Sequence, residues 1–286
     1  MREATLGIAR GIGVKGLLNV QFAIGAGVLY VLEANPRASR TVPFVGKALG
    51  IPLAKAASLI MVGTSIAALK ADGLLPEQDG SRVPMDAPVA VKEAVLPFKR
   101  FRTPGGDIVD SVLGPEMRST GEVMGVDRDF PRAFAKSQMA AYGGMPLTGS
   151  VFVSVSDRDK RSIILPALRL QQLGYEIMAT EGTADVLRRN GIQARVVAKF
   201  SEKSAADEES IVELIKAQQV DIVINTPGGR RTRADGYEIR AAAVAGDLPL
   251  FTTIAELSAA VASIDAITSG FDVTSLQEYA AARAAR

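Results

Sequence analysis

The sequence predicts an α/β chain in two parts, with an antiparallel hairpin among helices at the front and an open parallel sheet flanked by helices behind. Three observations carry this prediction. Two apolar runs, Val20–Ile24 and Val28–Leu32, flank Gly25-Ala26-Gly27, which reads as a tight hairpin turn. From Val151 onward, short apolar strands alternate with helical segments, and such β–α units build a parallel sheet. Between the two parts the run Gly143-Gly144-Met145-Pro146-Leu147-Thr148-Gly149 breaks the chain. The domain boundary is therefore placed near Ala141–Tyr142, giving residues 1–141 and 142–286.

In order along the chain, Glu3–Ile12 reads as a helix stopped by the glycines around Gly13, and the hairpin follows. Pro52–Val62 carries Leu53, Ala57 and Ile60 at helical spacing, and Ser65–Leu69 reads as a second short helix. Ala71–Pro88 is polar and rich in glycine and proline, so it is expected to be a loop. Val89–Phe98 alternates as a strand, with Pro97 near its end. Phe101–Val109 is turn-rich, and Phe130–Ala141 is helical. In the rear part, strands are expected at Val151–Val155, Tyr175–Thr180, Ala194–Phe200, Val220–Asn225 and Leu248–Thr253. Helices are expected between them, with Pro166 tolerated only where a helix has just begun. Ser275-Leu276-Gln277-Glu278 is a capping-box pattern opening a terminal helix.

Composition narrows the chemistry. With 286 residues, 48% of them apolar, the chain has enough apolar material for two packed domains. Thirty-three basic against 31 acidic residues leave a net charge of +2, which offers no whole-chain footprint for nucleic acid. There is no cysteine, which excludes a disulfide framework and thiolate zinc and fits a cytoplasmic setting. There is no histidine, which removes Ser-His-Asp and Cys-His catalysis together with imidazole metal ligation. Ile51–Leu69 is the most apolar stretch, but Lys55, Gly63 and Pro52 make it a buried helix and a break rather than a membrane span.

The first candidate site lies on the hairpin. Alternation places Val31, Glu33 and Asn35 on one face of the second strand, and an antiparallel partner brings Gln21 beside them. One carboxylate and two amide oxygens, without sulfur or imidazole, suit a hard cation such as Mg²⁺ or Mn²⁺. Arg37 and Arg40 follow at once, and guanidinium forks beside such a cation suit phosphate. A hairpin with polar residues at its solvent end fits the same letters.

The second candidate site lies where the rear strands end, since ligands of parallel sheets bind beyond the carboxyl ends of strands. Those ends carry Lys160, Thr180, Thr183, Lys199 and Asn225, followed by Gly228, Gly229, Arg230 and Arg231. Glycines allow backbone N–H groups to approach an anion, and Thr183 is expected to cap the helix after it. The set reads as a phosphate pocket, and for each residue a solvated surface position is the competing reading.

The stretch Asn19–Phe44, with Glu33-Ala-Asn-Pro-Arg-Ala-Ser-Arg-Thr-Val-Pro-Phe44 at its centre, resembles the second ATP-grasp unit of the carbamoyl phosphate synthetase large subunit. Leu113–Val126 resembles the same family. Gly149–Ile264 is similar to the Rossmann-like, methylglyoxal-synthase-like regulatory domain that ends that subunit. The resemblance implies an incomplete ATP-grasp portion of α+β type followed by the regulatory domain, in a polypeptide that is a piece of a longer or split enzyme. It implies that Gln21, Glu33 and Asn35 hold the metal of Mg-ATP, with Arg37 and Arg40 at its phosphates.

The resemblance further implies that Lys160, Thr180, Thr183, Lys199, Asn225, Arg230 and Arg231 form a pocket for a pyrimidine or purine nucleotide effector. Glu93 and Thr252 match positions for an amino-acid activator, although Glu93 also reads as an exposed strand carboxylate. The family's partners are a glutaminase small subunit and the rest of the large subunit, with room for a homo-oligomer through the regulatory domain. Neither nucleic acid nor a membrane is expected as a partner. Two departures stand out: Pro227 replaces a threonine of the nucleotide pocket, and Leu250 replaces a tyrosine of the activator site. Methylglyoxal synthase chemistry itself is excluded by the missing histidine. Two other readings compete: a binding-only regulatory module, and a different ATP-grasp ligase, against which Gly114–Val126 and the rear half argue.

Overall fold

The computed structural model describes residues 1–77, 85–114, 116–198, 210–228, 233–270 and 272–284. The chain divides into two compact units, Met1–Ala87 with Val273–Arg286, and Pro88–Asp272. The boundary read from the sequence at Ala141–Tyr142 falls inside the second unit, in the last turn of the helix Phe130–Tyr142.

The first unit opens with helix α1 (Arg2–Gly11) and the hairpin β1 (Asn19–Gly25) and β2 (Val28–Asn35). Gly25 pairs with Val28, so the loop has two residues, Ala26 and Gly27, with φ of 48° and 79°. Positive φ at both positions matches the right-handed twist of the strands, and glycine makes the second one inexpensive. The register shifts by one residue between Gln21 and Phe22, which pair with Glu33 and Val31. The extra residue, Leu32, is a bulge, and it restores Gln21 to the face of Glu33. Helix α2 (Thr41–Leu49) follows and was not predicted, because Gly46 lowers its helical propensity and Pro43 reads as a breaker although it stands in the first turn. Gly50 ends it at φ 67°, and α3 (Leu53–Met61) and α4 (Ile66–Ala71) come next. Helices α2 and α3 are jointly apolar but bend by 112° at their break, and among the described residues no single helix is long and apolar enough to cross a membrane.

In the second unit, β3 (Val89–Val95) pairs antiparallel with β4 (Gly121–Asp127), from Val89 opposite Asp127 to Val95 opposite Gly121. Strand β4 was not predicted. Its two glycines suppress strand propensity, yet Gly125 is required where helix α5 (Phe130–Tyr142) crosses the strand. Asp129 caps α5 through the Arg132 N–H at 3.0 Å, and Gly143 ends it at φ 84°.

The rest of the unit alternates strand and helix as predicted. The elements are β5 (Ser150–Ser154), α6 (Ile164–Gln172), β6 (Glu176–Ala179), α7 (Glu181–Arg189), β7 (Arg195–Val196), α8 (Ile211–Lys216), β8 (Ile222–Asn225), α9 (Arg233–Ala245), β9 (Leu250–Phe251) and α10 (Ile254–Thr268). Helix α6 begins two residues before Pro166, so the proline takes a first-turn position that needs no N–H. All five strands are parallel, in the order β7-β6-β5-β8-β9. Alternation sorts the core onto two faces. Val151 and Val153 of β5, with Ile222 and Ile224 of β8, pack under α6, α7 and α10. Phe152 and Val223 point to the other face, under α8 and α9. Helix α11 (Leu276–Ala284) belongs to the first unit and opens on the predicted capping box, with Ser275 N–H to Glu278 at 2.6 Å and Glu278 N–H to Ser275 Oγ at 3.1 Å.

Candidate functional site

Sheet order fixes where the rear site forms. Leaving β5, the chain first builds toward β6 and β7 and later returns to place β8 on the opposite side of β5. The carboxyl ends of β5 and β8 stay paired at Ser154 and Asn225, but the connections leaving them run to opposite faces of the sheet, and a crevice opens beyond those ends. A cavity of about 620 Å³ lies there, lined among others by Ser156, Lys160, Thr180, Thr183, Asn225 and Gly228. Four predicted pocket residues, Lys160, Thr180, Thr183 and Asn225, are thus brought to one place from three separate strand ends. Lys199, Arg230 and Arg231 lie outside the described residues.

Each side chain is held by its own element. A Cβ on Gly182 would stand 3.2 Å from Lys160 Nζ, so the amine lies on the first turn of α7. Lys160 also pairs with Asp157 at 2.7 Å. Helix α7 begins earlier than predicted, at Glu181, so Thr180 rather than Thr183 is its N-cap. Thr183 sits inside the first turn, 1% exposed, with its hydroxyl 3.3 Å from that of Thr180. The correction leaves both hydroxyls and the amide end of α7 in the crevice, where the helix dipole favours an anion. Thr226 Oγ1 accepts the Ser156 N–H at 2.9 Å, which ties the β8 loop to the β5 loop. Ser156 Oγ donates to Asp159 at 2.6 Å. Burial alone would raise the Asp159 carboxyl, but bonds from Ser156 and Thr226 and the charge of Arg158 hold it below its ordinary range.

Sequence reasoning missed the group behind Asn225. Arg240 of α9 is 2% exposed and lines the crevice floor. Its Nε and Nη2 donate to the two oxygens of Asp110 at 2.7 and 2.6 Å, and its Nη1 donates to Asn225 Oδ1 at 2.6 Å. An arginine on a helix normally reads as a solvated side chain. The available signal was Gly236, one turn earlier on the same face, which leaves room for the guanidinium.

On the hairpin of the first unit, Gln21 stands directly opposite Glu33, and Asn35 Nδ2 donates to Glu33 Oε1 at 2.9 Å. The three predicted donors share one face at the open end of the ladder. They supply a single negative charge, which suits a divalent cation that already carries polyphosphate better than a bare ion. Arg37 donates to the Ala38 carbonyl at 3.0 Å, and Arg40 is the first flanking residue of α2.

A third cluster surrounds the two remaining predicted residues. Glu93 of β3 accepts from Gln138 Nε2 of α5 at 2.9 Å, and Tyr142 donates to the Ala94 carbonyl at 2.7 Å. Glu256 of α10 accepts the Thr252 N–H and feels the charge of Glu93. Burial first, then the Glu93 charge, pushes its carboxyl up to about 7. Glu93 is also raised, chiefly by burial.

Comparison with known proteins divides the chain at the same two regions. Residues 1–69 match the family model described as "Carbamoyl-phosphate synthase L chain, ATP binding domain". Residues 162–252 match the model described as "MGS-like domain". The carbamoyl phosphate synthase large chain of Clavibacter sepedonicus is 80% identical over 285 residues, which cover 99% of this chain and 26% of that protein. The chain belongs to the carbamoyl phosphate synthase large-chain family. The large chain of Beutenbergia cavernae is 64% identical over 288 aligned positions, covering 100% of this chain and 26% of its own length. That of Kineococcus radiotolerans is 62% identical and is again covered to 26%. The chain thus spans about a quarter of the length of the large chains it matches.

Proposed function

We propose that this chain is the part of a carbamoyl phosphate synthase large chain that joins the carbamate-phosphorylating ATP site to a nucleotide-sensing domain. The reading divides it functionally into residues 1–141, the ATP-grasp portion, and residues 142–286, the sensor. The reaction assigned to the whole protein transfers the γ-phosphoryl of ATP to carbamate, giving carbamoyl phosphate and ADP for pyrimidine and arginine biosynthesis. In phosphoryl transfer the protein contributes mostly position and charge. Gln21, Glu33 and Asn35 would hold Mg²⁺ or Mn²⁺, whose charge offsets that of the phosphates. Arg37 and Arg40 would orient phosphate oxygens with forked donors. A glutaminase small subunit and the remaining three quarters of the large chain would supply ammonia and the rest of the site. Glu93, Thr252 and Glu256 would receive a cationic amine, since two carboxylates held close together are relieved by a positive charge.

The observation that supports the sensor most directly is the convergence of Lys160, Thr180, Thr183 and Asn225 on one crevice at the strand-order reversal. Titration of uridine monophosphate and of inosine monophosphate into the chain by calorimetry tests it, with ATP hydrolysis assayed on the same sample. Saturable binding of at least one nucleotide without ATP turnover is expected. Lys160→Ala should weaken that binding about tenfold, the size of one charge-assisted hydrogen bond to phosphate. Unchanged affinity in this variant would remove Lys160 from the pocket, and absence of binding by the unaltered chain would remove the sensor.

A further inference from the structure

We propose that Asp110, Arg240 and Asn225 form a strut that sets the donor side of the crevice and carries its state to segment 101–112. The inference rests on the reading that the crevice takes a nucleotide phosphate, and it names how occupancy would be felt elsewhere in the second unit.

The argument begins with the amide. Oxygen and nitrogen of an asparagine are nearly the same size, so its neighbours decide which one faces a ligand. Arg240 Nη1 claims Asn225 Oδ1 at 2.6 Å. The amide nitrogen is left toward the Ser154 carbonyl, 3.5 Å away, and toward the crevice that Asn225 lines. The pocket therefore presents an N–H donor, which suits an anion, rather than a carbonyl oxygen, which would repel one. Arg240 acts through Asn225 and is a positioning residue.

Arg240 is itself held from behind. Asp110 grips the guanidinium in a bidentate fork and does not line the crevice. Burial acts to raise the Asp110 carboxyl, but the bonds and charge of Arg240 outweigh it and hold the group ionised below its ordinary range. Charge is thus cancelled within the pair, so Arg240 works by geometry rather than as a loose cation. Asp110 closely follows a short loop closed by Thr103 N–H on the Asp107 carbonyl at 2.8 Å and by a bridge between Arg102 and Ile108. The same helix grips this loop a second time, since Tyr237 donates to the Ile108 carbonyl at 2.7 Å. Three bonds from α9 fasten segment 101–112, and a fourth, from the same guanidinium, reaches the pocket.

Gly236 shows how closely this is built. A Cβ there would lie 2.6 Å from Arg240 Nη1 and 3.3 Å from Asn225 Oδ1. An arginine tip normally swings aside from such an intruder, but this one is buried and held at three of its nitrogens. Gly236→Ala therefore attacks the Arg240–Asn225 bond without altering a charge.

Hydrogen–deuterium exchange on the chain, free and saturated with uridine monophosphate, tests the strut beside calorimetry. Saturation should slow exchange in residues 222–228 and, severalfold, in residues 101–112. Arg240→Met and Gly236→Ala should each lower nucleotide affinity about tenfold or more. Asp110→Asn, at saturating nucleotide, should abolish the response of 101–112 while that of 222–228 survives. Arg240→Lys, which keeps the charge without the fork, should bind better than Arg240→Met but transmit no better. An unresponsive 101–112 segment in the saturated unaltered chain overturns the proposal, as does a full response in Asp110→Asn. Failure of the unaltered chain to bind either nucleotide would refute the nucleotide reading instead. The strut is then judged in the free protein, where Arg240→Met must speed exchange in both 101–112 and 222–228. Faster exchange in only one of them overturns it.

Discussion

Replacing Gly125 by alanine should destabilise the second unit by about 4 kcal/mol or more, beyond the 1–3 kcal/mol typical of overpacking. The added Cβ would lie 1.9 Å from the Ala133 carbonyl oxygen and 2.5 Å from the Ser137 nitrogen. Both atoms are helix backbone and cannot rotate away. Relief requires α5 to lift off β4, and α5 is held on its other side by α10, where Ser263 donates to the Pro131 carbonyl at 2.8 Å. Gly121 lies at the far end of the same strand with nothing within 4 Å of its Cβ position. Gly121→Ala should therefore change stability by no more than about 0.5 kcal/mol, the usual range for a surface change. Hydrogen exchange of the β4 and α5 peptides in rising denaturant reads both variants on one scale. If Gly125→Ala unfolds within 1 kcal/mol of the unaltered chain, the strand and helix are not in the contact described.

The second unit should also lose stability as pH rises from about 4.5 to about 7, by on the order of 2–3 kcal/mol once solvent screening is allowed for. The sign follows from Glu256, whose carboxyl is pushed from an ordinary 4.5 up to about 7 in the fold, by burial and then by the charge of Glu93. Below the unfolded value both states hold the proton, and the favourable contribution is fully present. Above it the unfolded chain releases the proton while the fold retains it, so stability falls as pH rises through 7. Glu93 is raised in the same direction. Asp110, Asp129 and Asp159 are lowered, so they act below the ordinary carboxylate range and leave this window clear. Glu256→Gln should flatten the profile between pH 5 and 8 and raise stability at pH 8. A profile just as steep in the variant would show that the pH dependence has another source. An added primary amine, if it binds between these carboxylates, should restore stability at pH 8 in the unaltered chain and not in Glu256→Gln.

Local chemistry carried much of this structure into the letters. Gly25-Ala26-Gly27 marked the hairpin turn, and the spacing of Glu33 and Asn35 stated a shared face. The rear alternation stated a parallel sheet, whose strand ends then named four crevice residues. What the letters hid were positions whose residue type answers a distant neighbour. Gly125 weakens a strand so that a helix can touch it, and Pro43 and Gly46 mask a helix that Gly50 closes. Asp110 and Arg240 lie 130 residues apart, and neither resembles a buried ion pair until the fold joins them. Thr183 was assigned the wrong duty because Gly182 disguised the first turn of α7.

The strand order β7-β6-β5-β8-β9 bears on how the chain matures. Strands β5 and β8 are hydrogen-bonded neighbours, Ser154 beside Asn225, yet some seventy residues of loop closure separate them. The crevice cannot exist while a ribosome has released only β5, β6 and β7. Affinity for a phosphate ligand would thus report that the whole sheet has been laid down, and a nascent or truncated chain ending before Val220 would be blind to it.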